Sequence, residues 1–157
     1  MIFIAIAIPI SVILGAVAAL HFYWAAGGLW PARTPRELID TVIGDPRLDQ
    51  MPPAWLTVLV GLALAGTAIL PLAIAPPLYG KILPHGISFN LLLLSFRYEP
   101  LVSLVFIARG IIGYLPFWRR RHSAQPFARL DVFLYSPLCL ALGLSLFLLV
   151  FLIAVAI

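Results

Sequence analysis

Arg109 and Asp131 are the two charged residues of this sequence whose surroundings point most directly to chemistry. Arg109 lies within an apolar stretch, where a charge costs about 2.5–3.5 kcal/mol even on lenient scales, so its side chain needs a compensating partner. Asp131 is the acid expected at the same end of the protein, and we predict that it pairs with Arg109. Glu99 is the rival, but it lies about 15 Å from Arg109 along a shared helix axis, so we expect no direct contact.

Two interpretations of Arg109 follow from its position. In the first, the side chain has a structural role: it forms an ion pair, or it extends toward the membrane surface while its methylene groups stay in apolar surroundings. Alternatively it anchors an anionic or polar group of a ligand, because ionisable residues inside membrane spans frequently mark functional sites.

The run His21-Phe22-Tyr23-Trp24 ends the first apolar stretch and is the second candidate. His21 and Trp24 are three residues apart and therefore share one face of a helix. Aromatic residues at such an end are typical of the belt that anchors helices at a membrane interface. A histidine there can also carry protons or bind a ligand, because its imidazole titrates near neutral pH.

These candidates converge on one end of the predicted helices. Together they predict a polar pocket that opens toward the cytoplasmic interface and binds a ligand. The residues predicted to form it are His21, Tyr23, Trp24, Arg109, Tyr114, Asp131 and Tyr135.

The sequence predicts no metal site and no cofactor. It contains no H-E-x-x-H zinc motif, and the acids of the first loop do not follow the calcium-loop pattern, so they are expected to pair with nearby arginines. His85 and His122 are expected to be ordinary exposed residues, and the single Cys139 to serve packing. Ser136 is expected to cap a helix.

The amino-acid composition indicates the environment in which these residues are positioned. Of 157 residues, 63% are hydrophobic and only 10% are charged, whereas soluble domains are about 25% charged. A soluble chain of this size could not bury so much apolar surface, so the protein is expected to reside in a membrane. Its net charge of +4 then favours anionic lipid headgroups as partners and excludes nucleic acid.

The hydropathy pattern predicts an all-α, polytopic membrane protein with one domain, residues 1–157. Four transmembrane helices are predicted over residues 2–26, 54–75, 96–115 and 137–157. A short interfacial helix is predicted in the first loop, with Thr34 and Glu37 forming a capping box around Pro35. Two alternatives stay open: the third helix starts near Ser88 and is kinked at Pro100, and the fourth starts near Phe127 and is kinked at Pro137.

Arginine distribution predicts the orientation. The loops at one end contain seven arginines, and the other end has Lys81 and Arg97. The positive-inside rule places the seven in the cytoplasm and both termini outside. The seven are Arg33, Arg36, Arg47, Arg119, Arg120, Arg121 and Arg129.

Two motifs resemble those of a bacterial domain-of-unknown-function family of small four-span membrane proteins. Residues 21–28 resemble its opening H-x-Y-W-x-x-G-G, and residues 127–139 resemble its closing F-A-R-x-D-x-x-x-Y-S-P-L-C. The resemblance covers nearly the whole chain. It implies a multi-pass protein of the bacterial inner membrane, and it implies no activity or cofactor.

Three functions remain open at this point. The first is binding or transport of a small polar-headed or lipid-like ligand at the cytoplasmic end. The second is a membrane-embedded enzyme in which His21 or Asp131 performs acid–base work and Arg109 holds an anionic substrate. The third is an accessory subunit or assembly factor that binds partner membrane subunits through faces of small residues.

Overall fold

The computed structural model describes residues 2–74 and 85–156, and every regular element in these ranges is helical. The predicted all-α fold is confirmed. The elements are α1 (Ile2–Ala25), α2 (Pro35–Val42), α3 (Ala54–Ile74), α4 (His85–Ile112), α5 (Pro116–Arg121), α6 (Phe127–Leu130), a π-helical segment (Asp131–Tyr135) and α7 (Ser136–Ala156).

Three helices among the described residues are long and apolar enough to cross a membrane: Ile2–Ala25, Ala54–Leu72 and Phe127–Val155. They are compatible with a membrane protein. The helix α4 has 28 residues, which is also sufficient length, since each residue adds about 1.5 Å. It is less apolar than the other three because it contains Arg97, Glu99 and Arg109.

The helix α4 begins earlier than the preferred prediction for the third span. It is continuous from His85 to Ile112, with Pro100 inside it, which matches the alternative of one long helix. A proline removes one backbone donor and frees the carbonyl of the residue four positions earlier, here Phe96, without ending the helix. As a result, Glu99 lies about 21 Å along α4 from its first residue, deep within the helix and not near its start.

The last helical region also begins earlier than residue 137. Helix α6, the π-helical segment and α7 follow one another without a break from Phe127 to Ala156. The irregularity lies at Asp131–Tyr135, where the backbone N–H of Ser136 donates to the carbonyl of Asp131, five residues earlier. This geometry tolerates Pro137 because its missing N–H falls where the hydrogen-bond pattern is already altered.

The long helices pack as two pairs, α1 along α3 and α4 along α7, with fewer contacts between the pairs. Gly61 of α3 lets Phe22 of α1 approach closely: an added Cβ would lie 2.9 Å from the ring. The core between the pairs consists of two apolar clusters. One contains Ala7, Leu149 and Ile153, and the other contains Ile10, Leu14, Ala68, Leu142 and Leu146.

The helix α2 belongs to the loops at one end of the molecule. Its predicted capping box is present: the Glu37 N–H donates to Thr34 Oγ1, and the Glu37 carboxylate accepts from the Thr34 N–H. Leu38 and Ile39 are buried against the protein. We call this end, formed by residues 26–53 and 113–126, the loop end.

Candidate functional site

An ion pair between α4 and the π-helical segment lies beside the loop end. Nη2 of Arg109 donates to Oδ1 of Asp131 at 2.7 Å, as predicted from the sequence. The same oxygen accepts from Ser136 Oγ at 3.2 Å, and Oδ2 accepts from Trp118 Nε1 at 2.9 Å. Asp131 is only 3% exposed, so three donors replace the water that a buried carboxylate loses.

The same partners hold the guanidinium. Its carbon lies 4.8 Å from the ring centre of Trp118, a distance at which a cation is attracted to the aromatic face. Nη1 contacts Ser136 Oγ at 3.5 Å. Gly113 permits this close approach, because a Cβ there would collide with Ser136 Oγ and meet Arg109 Nη1. We call Arg109, Trp118, Asp131 and Ser136 the arginine network.

The π-helical turn positions Asp131 and leaves one carbonyl without a backbone donor. The N–H of Ser136 bonds the Asp131 carbonyl, and the next donor in that register would come from Pro137, which has no N–H. The carbonyl of Val132 is therefore left open. Tyr114 fills the gap, since its hydroxyl donates to the Val132 oxygen at 3.1 Å.

The His21–Trp24 segment ends α1 in a geometry that its glycines require. Gly27 has φ +90°, and its N–H bonds the Trp24 carbonyl, while the Gly28 N–H bonds the Tyr23 carbonyl. This is a Schellman ending, which favours glycine at the left-handed position. The Tyr23 ring packs directly over Gly28.

The orientation of His21 follows from one hydrogen bond. Its Nδ1 lies 2.8 Å from the carbonyl oxygen of Val17. Because a carbonyl only accepts, Nδ1 must be the protonated nitrogen, which leaves Nε2 of the neutral ring as an acceptor. The ring lies 5.3 Å from that of Trp24, and Trp24 Nε1 donates to the carbonyl of Trp30 at 2.7 Å.

A cavity of about 640 Å³ lies between the two helix pairs at the loop end. Its wall is mainly apolar, with residues from α1, α3, α4 and α7 such as Leu14, Leu64, Phe106 and Leu142. The polar side chains on the wall include His21, Arg109 and Tyr135. An apolar chamber of this size with a few polar groups is typical of a small-molecule or lipid site.

The first loop covers this cavity. Thr41, Val42 and Ile43 line it from α2 and its C-terminal end. Tyr135 connects the first loop to the last helical region, because its hydroxyl donates to the carbonyl of Thr41 at 3.1 Å.

A polar clamp joins the first loop to the C-terminal end of α5. His122 Nδ1 donates to the carbonyl of Ile43 at 2.8 Å, and Arg121 Nε lies 3.2 Å from Oδ2 of Asp45. Asp45, 2% exposed, also accepts two bonds from the Arg47 side chain, at 3.0 Å each. The hydrogen bonds and positive charge of Arg47, with Arg121 beside it, hold the pKa of Asp45 well below its usual range.

The predicted site residues do not all lie together. His21, Trp24, Arg109 and Tyr135 line the cavity. Asp131 is buried behind Arg109, while Tyr23 and Tyr114 support the backbone at Gly28 and Val132. Tyr135 lies four residues after Asp131, but its hydroxyl donates to the Thr41 carbonyl and not to the acid.

Three residues have roles that the sequence did not reveal. Trp118 bonds Asp131 and stacks on His122, with ring centres 3.9 Å apart, so His122 is not an ordinary exposed residue; the matching prediction for His85 concerns a side chain outside the described part of the structure. Ser136 does not cap a helix but donates to Asp131. Trp118 follows a proline-containing turn before three arginines, and an indole N–H there is the signal that could have indicated a partner.

Comparison with known proteins identifies the family of this chain. No curated protein and no solved structure matches the chain significantly. A family model described as "Protein of unknown function (DUF3995)" matches residues 14–146, which include all seven predicted site residues and the arginine network. The match spans well over half of the chain, and the predicted kinship with a domain-of-unknown-function family is confirmed: the protein belongs to the DUF3995 family.

Proposed function

We propose that this protein binds a lipid-like molecule with a polar or anionic head, or transports it, using the cavity at the loop end. The observation that supports this most directly is the cavity itself, an apolar chamber with Arg109 and His21 on its wall. The apolar wall suits an acyl or isoprenoid-like chain, and the two nitrogen-containing side chains suit its head.

The chemistry of the two polar groups favours an anionic or hydrogen-bonding head. Arg109 gives one nitrogen to Asp131 and a second, weaker contact to Ser136, and a guanidinium has further donors. His21 offers Nε2 as an acceptor or, when protonated, as a second cationic donor. A carboxylate or phosphate head could therefore bind between them.

The proposed membrane arrangement has four spans, with α4 as the fourth long helix beside α1, α3 and the last helical region. The seven arginines of the loops then place the loop end in the cytoplasm of a bacterial inner membrane and both termini outside. In this orientation the cavity lies at the cytoplasmic end of the bundle, near the lipid headgroups.

The enzyme hypothesis has less support. Asp131 does not line the cavity. Its two oxygens together accept three hydrogen bonds, each from a different side chain. It is therefore poorly placed for acid–base work together with His21, and we propose no catalytic residue. Binding to partner membrane subunits stays a prediction.

Thermal stabilisation of the detergent-purified protein by oleate and by phosphatidylglycerol tests the proposal. Leu64→Trp fills the cavity, because Leu64 lines it. Leu62→Trp is the matched control, since Leu62 lies two residues away on α3 and is 55% exposed. We expect at least one probe to stabilise the wild type and the control but not the cavity variant.

A second variant tests the head. Replacing Arg109 with Gln and Asp131 with Asn together removes the charge of both partners and leaves no buried unpaired charge. We expect stabilisation by either anionic probe to vanish. Equal stabilisation of the wild type and Leu64→Trp would show that the cavity is not the site.

A further inference from the structure

Glu99 is the most unusual buried group outside the cavity. Its side chain is 0% exposed, and neither carboxylate oxygen has a hydrogen-bond partner among the described residues. A carboxylate buried in this way loses its hydration and gains nothing in return, which proteins normally avoid by pairing or by neutralising the group.

A second unpartnered group lies in the same layer of the protein. Ser11 Oγ of α1 is also buried without a hydrogen-bond partner in the described structure. Ser11 lies between Ala7 and Leu14, and Glu99 lies between Phe96 and Val102. Ala7 and Phe96 belong to one apolar cluster, and Leu14 and Val102 to the next, so Ser11 and Glu99 occupy the layer between the two clusters.

The described residues of α1, α3 and α7 offer no cation for this layer. The 21 residues of α7 contain no acid or base except the thiol of Cys139, and the described helix α3 contains no ionisable residue. In α1 the titratable residues are His21 and Tyr23, ten or more residues beyond Ser11 and therefore about 15 Å away along the helix.

Among the side chains of α4 that the structure describes, no ionisable residue neutralises Glu99 either. Arg97 is exposed and, two positions earlier, projects from a different side of the helix. Arg109 is paired with Asp131. Tyr98 is 51% exposed.

The size and chemistry of the site limit what it can bind. Glu99 is not on the cavity wall, so a ligand bound in the cavity does not contact it. Calcium or magnesium needs about six oxygen ligands, and the described residues contain no group of three or more metal-ligating His, Cys, Asp or Glu side chains. A proton needs only one oxygen.

We propose that Glu99 is a proton-binding site in the interior of the protein, in a layer where the Ser11 hydroxyl is the other buried polar group without a hydrogen-bond partner among the described residues. Binding converts the carboxylate to a neutral carboxylic acid, and release of the proton restores the carboxylate. Acidic side chains inside membrane spans are among the groups that form the proton relays of pumps and transporters. The proposal is independent of ligand binding in the cavity.

Infrared spectroscopy of the protein in lipid vesicles tests it, because the carbonyl band of a protonated carboxyl is separate from the carboxylate bands. We expect the wild type at neutral pH to show a protonated-carboxyl band that Glu99→Gln lacks and that Glu37→Gln retains. Glu37 is the matched control because it is the other glutamate of the chain and is exposed in α2. Absence of the band in the wild type, or its persistence in Glu99→Gln, would overturn the proposal.

Labelling with dicyclohexylcarbodiimide assigns the band on wild-type protein if Glu99→Gln does not fold. The carboxyl proton moves to a carbodiimide nitrogen, the oxygen bonds the central carbon, and acyl migration to nitrogen gives a stable N-acylurea with no leaving group. We expect peptide mass spectrometry to locate the adduct on Glu99, with loss of the infrared band in proportion to labelling. A band that stays unchanged in protein fully labelled at Glu99 would assign it elsewhere and refute the site.

Discussion

Two ionisable residues of one helix, Glu99 and Arg109, meet opposite surroundings. Arg109 has a carboxylate, a hydroxyl and an aromatic face within contact, whereas Glu99 has no polar partner among the described residues. The difference indicates two uses of charge. In the arginine network every charged group has hydrogen-bond partners, and the network fixes the loop end. Glu99, by contrast, is the group that we propose binds and releases a proton.

Asp131→Asn should have the largest effect on this contrast. The change removes the negative charge of the carboxylate that accepts from three donors, and it leaves the Arg109 cation without its partner. We therefore expect the free energy of unfolding to fall by about 3 kcal/mol. Reversible unfolding in mixed detergent micelles measures it. Asp49→Asn is the control, because Asp49 is 94% exposed; equal losses in both variants would contradict a special role for the network.

Gly113→Ala should be the next most damaging. The new methyl group would collide with Ser136 Oγ, and the strain should cost about 1–3 kcal/mol of stability. Gly66→Ala is the control, since an added Cβ there meets nothing within 4 Å. The same unfolding assay should show the control to be neutral or slightly stabilised, because alanine favours a helix.

Tyr114→Phe should cost about 1 kcal/mol, because it removes the donor to the Val132 carbonyl and leaves the rest of the ring in place. Tyr23→Phe tests the specificity of this loss. The Tyr23 ring packs on Gly28, and its hydroxyl has no hydrogen bond within the described structure. A loss at Tyr23 as large as at Tyr114 would show that the π-helical carbonyl is not the cause.

Glu99→Gln should change stability by less than about 1 kcal/mol at neutral pH, since it exchanges one neutral side chain for another of the same shape. This small effect, beside the large one of Asp131→Asn, is the sharpest measure of the contrast. A loss at Glu99 comparable with that at Asp131 would indicate that Glu99 is ionised and paired.

The clamp around Asp45 should give an effect whose size depends on pH. The lowered pKa of Asp45 means that its contribution to stability is present above its ordinary pKa near 3.8 and is lost as the pH falls below that value. We therefore expect Asp45→Asn to be less stable than the wild type at neutral pH and to approach it in acid. A difference that stays constant with pH would exclude the ionised carboxylate as its source.

The sequence predicted the parts of the fold that depend on local chemistry. The capping box of Thr34 and Glu37 uses residues three apart, and the end of α1 at Gly27 depends on one backbone angle, so both are visible in a short window. The Arg109–Asp131 pair was also predictable, because a charge in apolar surroundings needs an opposite one.

What the sequence did not reveal depends on register and on contacts between distant segments. Placing the third span at residue 96 put Glu99 at its edge, where an acid needs no explanation; the continuous α4 puts it deep inside. Ser136 before Pro137 suggested a cap because those two residues commonly begin a helix. The helix instead continues through them, and only the tertiary contact with Asp131 explains the hydroxyl.

The π-helical turn at Asp131–Tyr135 has a consequence for how this chain can change in length. Such a turn contains one residue more than an α-helical turn. Deleting one residue between Leu130 and Ser136 would restore a regular helix and rotate everything before it by about 100° about the axis. Asp131 would then turn away from Arg109, so a relative with a one-residue gap here must neutralise its arginine in another way.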